Sequence, residues 1–206
     1  MDKIRVLIAD DHAIVRMGLR TLFESKPGFE VVGEAKNGDE AIKRAQKLKP
    51  DIVIMDLLMP VIDGIEATRI LHEKSPSVGI LILTTSTISD NLSRAIQSGA
   101  SGIVIKTSDN GELLQAVKEI HAGKRHIPTD IANLIKNDPP AEALTKRQQE
   151  ILLSMARGLS NTEIAQQFDI SYGMAKKYVV TILKKLRAAN RSEAISIALS
   201  KQLVKI

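Results

Sequence analysis

Five polar residues in the first half of the chain each follow a short apolar segment, and together they could bind a cation and take up a phosphoryl group. Three are carboxylates, Asp10, Asp11 and Asp56, and the other two are Thr84 and Lys106. Crowded carboxylates repel one another, and their hard oxygens suit a divalent cation such as Mg2+. A carboxylate can serve as a phosphoryl acceptor, while a metal ion and a lysine stabilise charge on the transferred oxygens.

The segments that must position these residues alternate between strand and helix patterns. Apolar, β-branched runs occur at 4–9, 31–35, 51–55, 79–84 and 102–105, and helical spacing occurs at about 13–25, 38–48, 64–74, 88–98 and 110–122. Five such βα units predict an α/β fold with a doubly wound, five-stranded parallel sheet of the flavodoxin-like type. With strand order 2-1-3-4-5, the carboxyl ends of the strands would bring all five polar residues to one edge.

Each of these residues also has an ordinary structural explanation. Asp10 and Asp11 could cap the helix that begins near His12, and Thr84 could simply end a strand. We interpret His12 as a helix-start residue rather than a metal ligand, and Asp63 as a helix cap. The convergence of all five polar residues on one edge favours the functional interpretation.

The composition excludes several classes of protein. There is no cysteine, so disulfides, thiolate metal sites and cysteine nucleophiles are absent, and the four scattered histidines argue against a zinc site. Aromatic residues make up 2% of the chain, which disfavours a flavin sandwich or a base-stacking surface. No run approaches the roughly 18 to 20 apolar residues of a membrane span, and no secretory signal is evident. We therefore expect a cytoplasmic protein with no membrane partner.

Positive charge is concentrated in the C-terminal part of the chain. Residues 1–122 contain 15 Lys and Arg against 17 Asp and Glu, whereas residues 123–206 contain 14 against 7. Between positions 171 and 191 there are six basic residues and no acidic one. This asymmetry favours a polyanionic partner for the C-terminal part alone, with a solvated basic helix as the alternative.

The C-terminal segment predicts four helices. Capping-box pairs, Thr145 with Gln148 and Ser160 with Glu163, mark the starts of helices at about 146–157 and 161–168. A third helix is predicted from Tyr172 to about 186, and a fourth at 192–203, suited to packing or dimerisation.

The third of these helices has two distinct faces. One face carries Ala175, Tyr178, Val179, Ile182 and Leu186, and the other carries Lys176, Lys177, Val180, Thr181 and Lys184. A short helix, a tight turn and a basic second helix are what a helix-turn-helix needs to enter the major groove of DNA. A helical bundle with a solvated basic face is the alternative.

Residues 1–122 resemble the receiver domain of bacterial two-component response regulators. The resemblance is carried by IADDH at 8–12, DLLMP at 56–60, DG at 63–64, Thr84 and Lys106. It implies that a histidine kinase phosphorylates Asp56 with Mg2+ as cofactor. It also implies that Asp10, Asp11, Asp56 and the backbone carbonyl of Leu58 hold the metal. Thr84 is then the hydroxyl that moves to meet the phosphoryl group, and Lys106 is its ion-pairing lysine.

Residues 144–206 resemble the LuxR-type DNA-binding domain of the NarL/FixJ class. The matching positions are 144–145, 150–152, 158–161, 163–165, 170–171, 185–186 and 190–194, with Arg147, Lys176 and Ile182. The resemblance implies that Lys176, Lys177, Val180 and Thr181 face the bases, and that Lys184, Lys185 and Asn161 contact phosphates or the DNA backbone. Met174 and Ala175 stand where Thr-Val is usual, a departure that we assign to packing and the helix start.

Together the two resemblances predict a transcriptional response regulator with a receiver at 1–122, a linker at 123–143 and a DNA-binding domain at 144–206. The partners would be a histidine kinase and promoter DNA, the active form a homodimer, and no enzyme is expected beyond the receiver's own phosphoryl uptake and loss. Ile103 occupies a position that usually holds a switching aromatic, which favours an alternative, a phosphorylation-independent regulator whose receiver serves for dimerisation. A flavodoxin-like cofactor-binding protein is a more distant alternative, since no Gly-rich phosphate loop follows the first strand.

Overall fold

The computed structural model describes residues 3–137, 144–201 and 203–204. The chain divides into two compact units, Met1–Asp138 and Pro139–Ile206. Within the described ranges, no helix combines the length and apolar character needed to cross a membrane. Residues 138–143 of the expected linker lie outside the described residues, so its extent and the predicted domain bounds stay predictions.

The first unit alternates strands and helices as the sequence pattern predicts, with bounds that differ from the predicted ones by at most about two residues. The strands are β1 (Ile4–Ala9), β2 (Phe29–Ala35), β3 (Ile52–Met55), β4 (Gly79–Thr84) and β5 (Gly102–Ile105). The helices are α1 (Ala13–Glu24), α2 (Gly38–Leu48), α3 (Gly64–Lys74), α4 (Ser89–Gln97), α5 (Asn110–His121) and α6 (Thr129–Asn137).

All five strands are parallel and follow the order β2-β1-β3-β4-β5, which confirms the predicted fold class. Strands β3, β4 and β5 are apolar without alternation because the sheet has a buried side-chain cluster on each face. β3, for example, is buried along its whole length. This order makes β1 and β3 neighbours, with β4 on the other side of β3.

The segment after α5 packs against β5 and the adjoining helical layer. His126 forms an isolated parallel bridge with Gly102, and its carbonyl accepts the Ile103 N–H at 2.9 Å. Ile131 of α6 is buried in the same apolar cluster as Ile103. α6 therefore packs as part of the first unit.

The turn between β3 and α3 depends on a close backbone contact. Asp63 caps α3 by accepting the Glu66 N–H at 2.8 Å, which confirms its predicted capping role. The next residue, Gly64, donates its N–H to the Leu57 carbonyl at 2.9 Å. A Cβ at Gly64 would lie 1.9 Å from the carbonyl oxygen of Asp56, so only glycine allows α3 to begin here.

The second unit is a four-helix domain with helices α7 (Lys146–Ala156), α8 (Asn161–Gln167), α9 (Tyr172–Leu186) and α10 (Arg191–Ser200). Both predicted capping boxes are present, at the starts of α7 and α8. The residues of its core that are completely buried are Ile151, Leu152, Met155, Ile164, Ala175, Ile182, Ala194 and Ala198. The four helices share this single core.

Two glycine-to-alanine substitutions should change stability in opposite directions. We expect Gly64→Ala to lower the free energy of unfolding by about 2 kcal/mol or more, because its Cβ would overlap the Asp56 backbone. Gly18→Ala in α1 should raise it by roughly 0.5 to 1 kcal/mol, because nothing lies within 4 Å of the added carbon and alanine favours the helix. Urea denaturation measures both. Equal stabilities of the two variants would contradict the close contact at Gly64.

Candidate functional site

Asp10 and Asp56 lie next to each other at the carboxyl edge of the sheet. The Asp56 N–H donates to the Ala9 carbonyl at 2.8 Å, and the Asp10 N–H donates to the Ala35 carbonyl at 3.1 Å, so strand pairing continues into both residues. Asp10 is 2% exposed and Asp56 5% exposed, whereas Asp11 faces solvent. Two buried carboxylates at one point require a compensating charge.

Lys106, the residue that follows β5, supplies that charge. Its N–H donates to the Thr84 carbonyl at 2.8 Å, and its side chain passes the end of β4 to reach the carboxylates. Nζ lies 2.7 Å from Asp10 Oδ2 and 3.2 Å from Asp56 Oδ2. Burial alone would lower the pKa of Lys106, but the hydrogen bond to Asp10 and the charges of both carboxylates outweigh it and raise the pKa. The ammonium therefore stays charged beside both acids.

The Asp56 carboxyl group is harder to ionise than an exposed aspartate. Burial raises the pKa of Asp56, and the Lys106 charge offsets this only in part, while the Asp10 charge adds to it. Oδ1 accepts the Leu57 N–H at 2.9 Å, and Oδ2 faces Lys106. A carboxylate of raised basicity at a protein edge is suited to act as a nucleophile.

Thr84 lies at the same edge, at the end of β4, and is completely buried. Its Oγ1 accepts the Ser86 N–H at 3.0 Å, and the Ser86 hydroxyl oxygen in turn accepts the N–H of Ile88, which precedes α4, at 3.3 Å. The hydroxyl is thus engaged with the loop that leads into α4. Leu58, two residues after Asp56, has a partly exposed side chain.

The His12 side chain lies next to the carboxylates of Asp10 and Asp11. The sequence interpretation of His12 as a helix-start residue did not predict this contact. His12 occupies the N-cap of α1, but its imidazole makes no capping hydrogen bond. Nδ1 lies 2.8 Å from Asp11 Oδ1 and 3.3 Å from Asp10 Oδ1. One ligand atom from each of Asp10, Asp11, His12 and Asp56 lies within 4.8 Å of the others. The donor set is compatible with Mg2+, and the only sequence signal for His12 was its position next to Asp11.

In the second unit, α9 separates a buried face from an exposed basic face. Ala175, Val179, Ile182 and Leu186 are buried, and Tyr178 is half-buried. Lys176, Lys177, Val180, Thr181 and Lys184 are exposed, whereas Lys185 is half-buried. Ala175 is buried in the core, and Met174, 44% exposed, lies in the first turn of α9, where its N–H donates to Ser171 Oγ at 3.2 Å. The two residues thus lie in the core and at the helix start, as expected. Tyr172, the first residue of α9, is 55% exposed beside this basic face. Nothing in the sequence indicated that it would flank the proposed DNA-binding residues.

The connection between α8 and α9 is a tight turn braced from α7. The guanidinium of Arg147 stacks over the Phe168 ring at 4.4 Å and donates to the Phe168 carbonyl at 2.9 Å. Ser171 then caps α9 with its hydroxyl oxygen. Asn161, the first residue of α8, is half-buried. The two helices and this turn have the arrangement of a helix-turn-helix.

Neutralising Asp56 should stabilise the metal-free protein at neutral pH. Because the folded-state pKa is raised, ionised Asp56 opposes folding above that pKa, and the effect vanishes below the pKa of the unfolded chain. Asp56→Asn should therefore raise Tm by a few degrees at pH 7, with the gain disappearing as the pH falls through the acidic range.

Thermal melts across pH measure this difference, with Glu30→Gln, an exposed carboxylate on β2, as a control that should leave Tm unchanged. A less stable Asp56→Asn at pH 7 would mean that pairing with Lys106 outweighs burial.

Comparisons with known proteins agree with both units. The family model for the response regulator receiver domain matches residues 6–118, and the model for bacterial regulatory proteins of the luxR family matches residues 142–198. The transcriptional regulatory protein LiaR of Bacillus subtilis is 36% identical over 98% of this chain and 99% of its own length.

Two solved structures of RcsB are each 28% identical and cover 97% of this chain and 99% of theirs. One is RcsB from Salmonella enterica serovar Typhimurium bound to promoter P1flhDC in the presence of the phosphomimetic BeF3-, with a TM-score of 0.69. The other contains two RcsB dimers bound to two parallel DNAs, with a TM-score of 0.66. With the receiver and luxR matches in this order along nearly the whole chain, the protein belongs to the two-component response regulators that carry a LuxR-type helix-turn-helix domain.

Proposed function

We propose that this chain is a DNA-binding transcription regulator that a sensor histidine kinase switches by phosphorylating Asp56. The observation that carries the proposal is the buried Asp56 carboxylate, 3.2 Å from the Lys106 ammonium, in a chain whose second unit presents a basic helix. The similarity to LiaR, a transcriptional regulatory protein, supports it. The chain's own chemistry in this proposal is limited to phosphoryl uptake and loss on the receiver.

Mg2+ is the proposed cofactor, held by Asp10, Asp11, Asp56 and the backbone carbonyl of Leu58. The carboxylate ligand atoms lie within 4.8 Å of one another, and oxygen ligands are those that Mg2+ prefers. Three carboxylates beside the single ammonium of Lys106 leave excess negative charge, which a divalent cation balances. When bound, the cation neutralises charge on the incoming phosphoryl oxygens.

The proposed transfer from a phosphohistidine is a displacement at phosphorus. An Asp56 oxygen forms a bond to phosphorus while the bond to the imidazole nitrogen breaks, and the leaving nitrogen keeps that electron pair. Burial, which raises the pKa of Asp56, makes its carboxylate a stronger nucleophile than an exposed one. Lys106 stays beside the acceptor and stabilises the negative charge on the phosphoryl group.

Thr84 connects this chemistry to the loop before α4. If its hydroxyl turns to donate to the phosphoryl group, the Ser86 N–H loses the acceptor that it now has at 3.0 Å. The Ser86 hydroxyl oxygen also accepts a hydrogen bond from the Ile88 N–H. A displacement of Ser86 would therefore also move the residue at the start of α4. We propose that phosphorylation shifts the population of this loop and so favours one assembly of the protein.

A phosphorylation-independent regulator remains the second candidate, and Ile103 favours it. This residue is completely buried in the sheet core and has no aromatic ring to turn inward or outward on activation. In that case the receiver serves mainly as a dimerisation module, and DNA affinity does not depend on a phosphodonor.

For DNA recognition we propose that α9 enters the major groove as part of a homodimer. Lys176, Lys177, Val180 and Thr181 would face bases, and Lys184, Lys185 and Asn161 would contact the backbone. The exposure of Lys176, Lys177, Val180, Thr181 and Lys184 supports their part of this assignment. The solved structure of two RcsB dimers bound to two parallel DNAs supports a dimer on DNA. We assign 1–122 to the receiver, 123–143 to the linker and 144–206 to the DNA-binding domain, in a cytoplasmic protein.

Asp56→Asn should abolish phosphoryl uptake, which intact-mass measurement after treatment with acetyl phosphate and Mg2+ detects. Asp63→Asn, an exposed cap of α3, is the control that should still be labelled. In wild type, the donor should tighten binding to selected DNA about tenfold at fixed salt, with no change for Asp56→Asn.

Two results would redirect the proposal. Labelling of Asp56→Asn at another residue would refute the acceptor assignment. If wild type binds DNA sequence-specifically with the same affinity with and without acetyl phosphate, the result would support the phosphorylation-independent candidate.

Lys176→Ala combined with Lys177→Ala should weaken specific DNA binding by about 1 to 3 kcal/mol for each lysine and remove the footprint. The matched control, Lys43→Ala with Lys47→Ala, removes the same charge from exposed positions on α2 and should leave binding unchanged. Footprinting at one salt concentration measures both. An unaltered footprint for the α9 variant would exclude these lysines from the interface.

A further inference from the structure

The side chains of α9 limit which bases this helix can read. From Tyr172 to Leu186 it contains no Arg, Asn, Gln, Asp or Glu. In the major groove, Asn and Gln pair with adenine, Asp and Glu accept from cytosine, and Arg and Lys donate to guanine. The lysines of α9 therefore suit guanine, whereas adenine and cytosine lack their usual hydrogen-bonding partners on this helix.

The hydroxyl group of Thr181 does not fill this gap. Thr181 is exposed, but its Oγ1 donates to the Lys177 carbonyl at 2.9 Å within the helix. A hydroxyl has one hydrogen, so Thr181 has none left to donate to a base. In the middle of α9, the feature of an A·T pair that remains to be read is the C5-methyl group of thymine, which apolar side chains contact.

Val180 is the apolar side chain in the middle of the exposed face. It is 56% exposed, so the core does not require it, and a β-branched residue is a weaker helix former than alanine. Lys176, Lys177 and Lys184 lie four and three residues before it and four after it, which places them around it on the same side of the helix. Because residues 171–191 include no acidic side chain, this surface suits a polyanion.

We propose that Val180 contacts the C5-methyl group of a thymine in each half-site, so that this thymine is part of the DNA sequence that the protein selects. The inference rests on the proposed DNA-binding function and deepens it, because it names the base and the chemical group that are read. The contact removes two apolar surfaces from water. Burial of one methyl-sized group changes an equilibrium constant about fourfold.

A contact of Val180 with a sugar or with another protein predicts a different outcome. Uracil in place of thymine removes the methyl group and keeps every hydrogen-bonding group of the base. Because this change can also alter the shape of DNA, the effect must be measured for wild type and for Val180→Ala. The interaction between the two changes isolates the contact between the side chain and the methyl group.

The test begins with selection of a DNA site from random duplexes by the full chain. Thymines within the footprint are then replaced by uracil, one position at a time and in both half-sites together, and affinity is measured at one salt concentration. At one position, wild type should lose about fifteenfold in affinity, about fourfold for each half-site. Val180→Ala should bind the thymine duplex more weakly and should not distinguish thymine from uracil at that position.

Two control variants separate methyl recognition from a general loss of binding. Lys184→Ala should weaken binding to the thymine and uracil duplexes by the same factor, because a phosphate contact carries no sequence information. Val61→Ala changes an exposed valine of the first unit in the same way and should keep the wild-type preference for thymine.

Two outcomes would overturn this inference alone and leave sequence-specific DNA binding intact. One is a wild type whose affinity is unchanged by uracil at every thymine of the selected site. The other is a Val180→Ala variant that keeps the wild-type preference for thymine over uracil. Failure of wild type to select any DNA site would overturn the proposed function together with it.

Discussion

Two carboxylates buried next to each other, with one ammonium between them, are the electrostatic constraint on which the first unit depends. Asp10 and Asp56 are each at least nine-tenths buried, and Lys106 contacts both. The contact requires the observed strand order, because β5 is separated from β3 by β4. Neighbouring strands are about 4.8 Å apart, so a long side chain is needed to cross β4.

The same constraint makes the site costly to the stability of the fold. Lys106 is closer to Asp10 than to Asp56, at 2.7 Å against 3.2 Å. Asp56 is therefore less fully compensated, and burial raises its pKa. A buried carboxylate whose ionisation is disfavoured destabilises the fold when it is charged, and such local cost is typical of functional sites. The Asp56 backbone is in turn held in place by the close contact with Gly64.

In the second unit, the residues that stabilise the fold are separate from those that face outward. Helix caps and core packing involve only the inner face of α9, and its outer face has no structural role. Side-chain caps mark the starts of all four helices, and the Arg147 contact with Phe168 braces the turn. The core uses only the inner face of α9. The outer lysines are therefore available to a polyanion without loss of stability, and their charge can be tuned independently of the fold.

The sequence by itself determined the elements, their order and the residues that gather at the sheet edge. Apolar runs, helical spacing and capping pairs are local signals, and the carboxyl ends of adjacent parallel strands must meet. The structure decided where individual side chains point. The His12 imidazole faces Asp11 instead of capping α1, Thr84 is bound to Ser86, and Met174 faces solvent. Side-chain directions depend on rotamers and on contacts between residues from different elements, which the periodicity of a single segment does not encode.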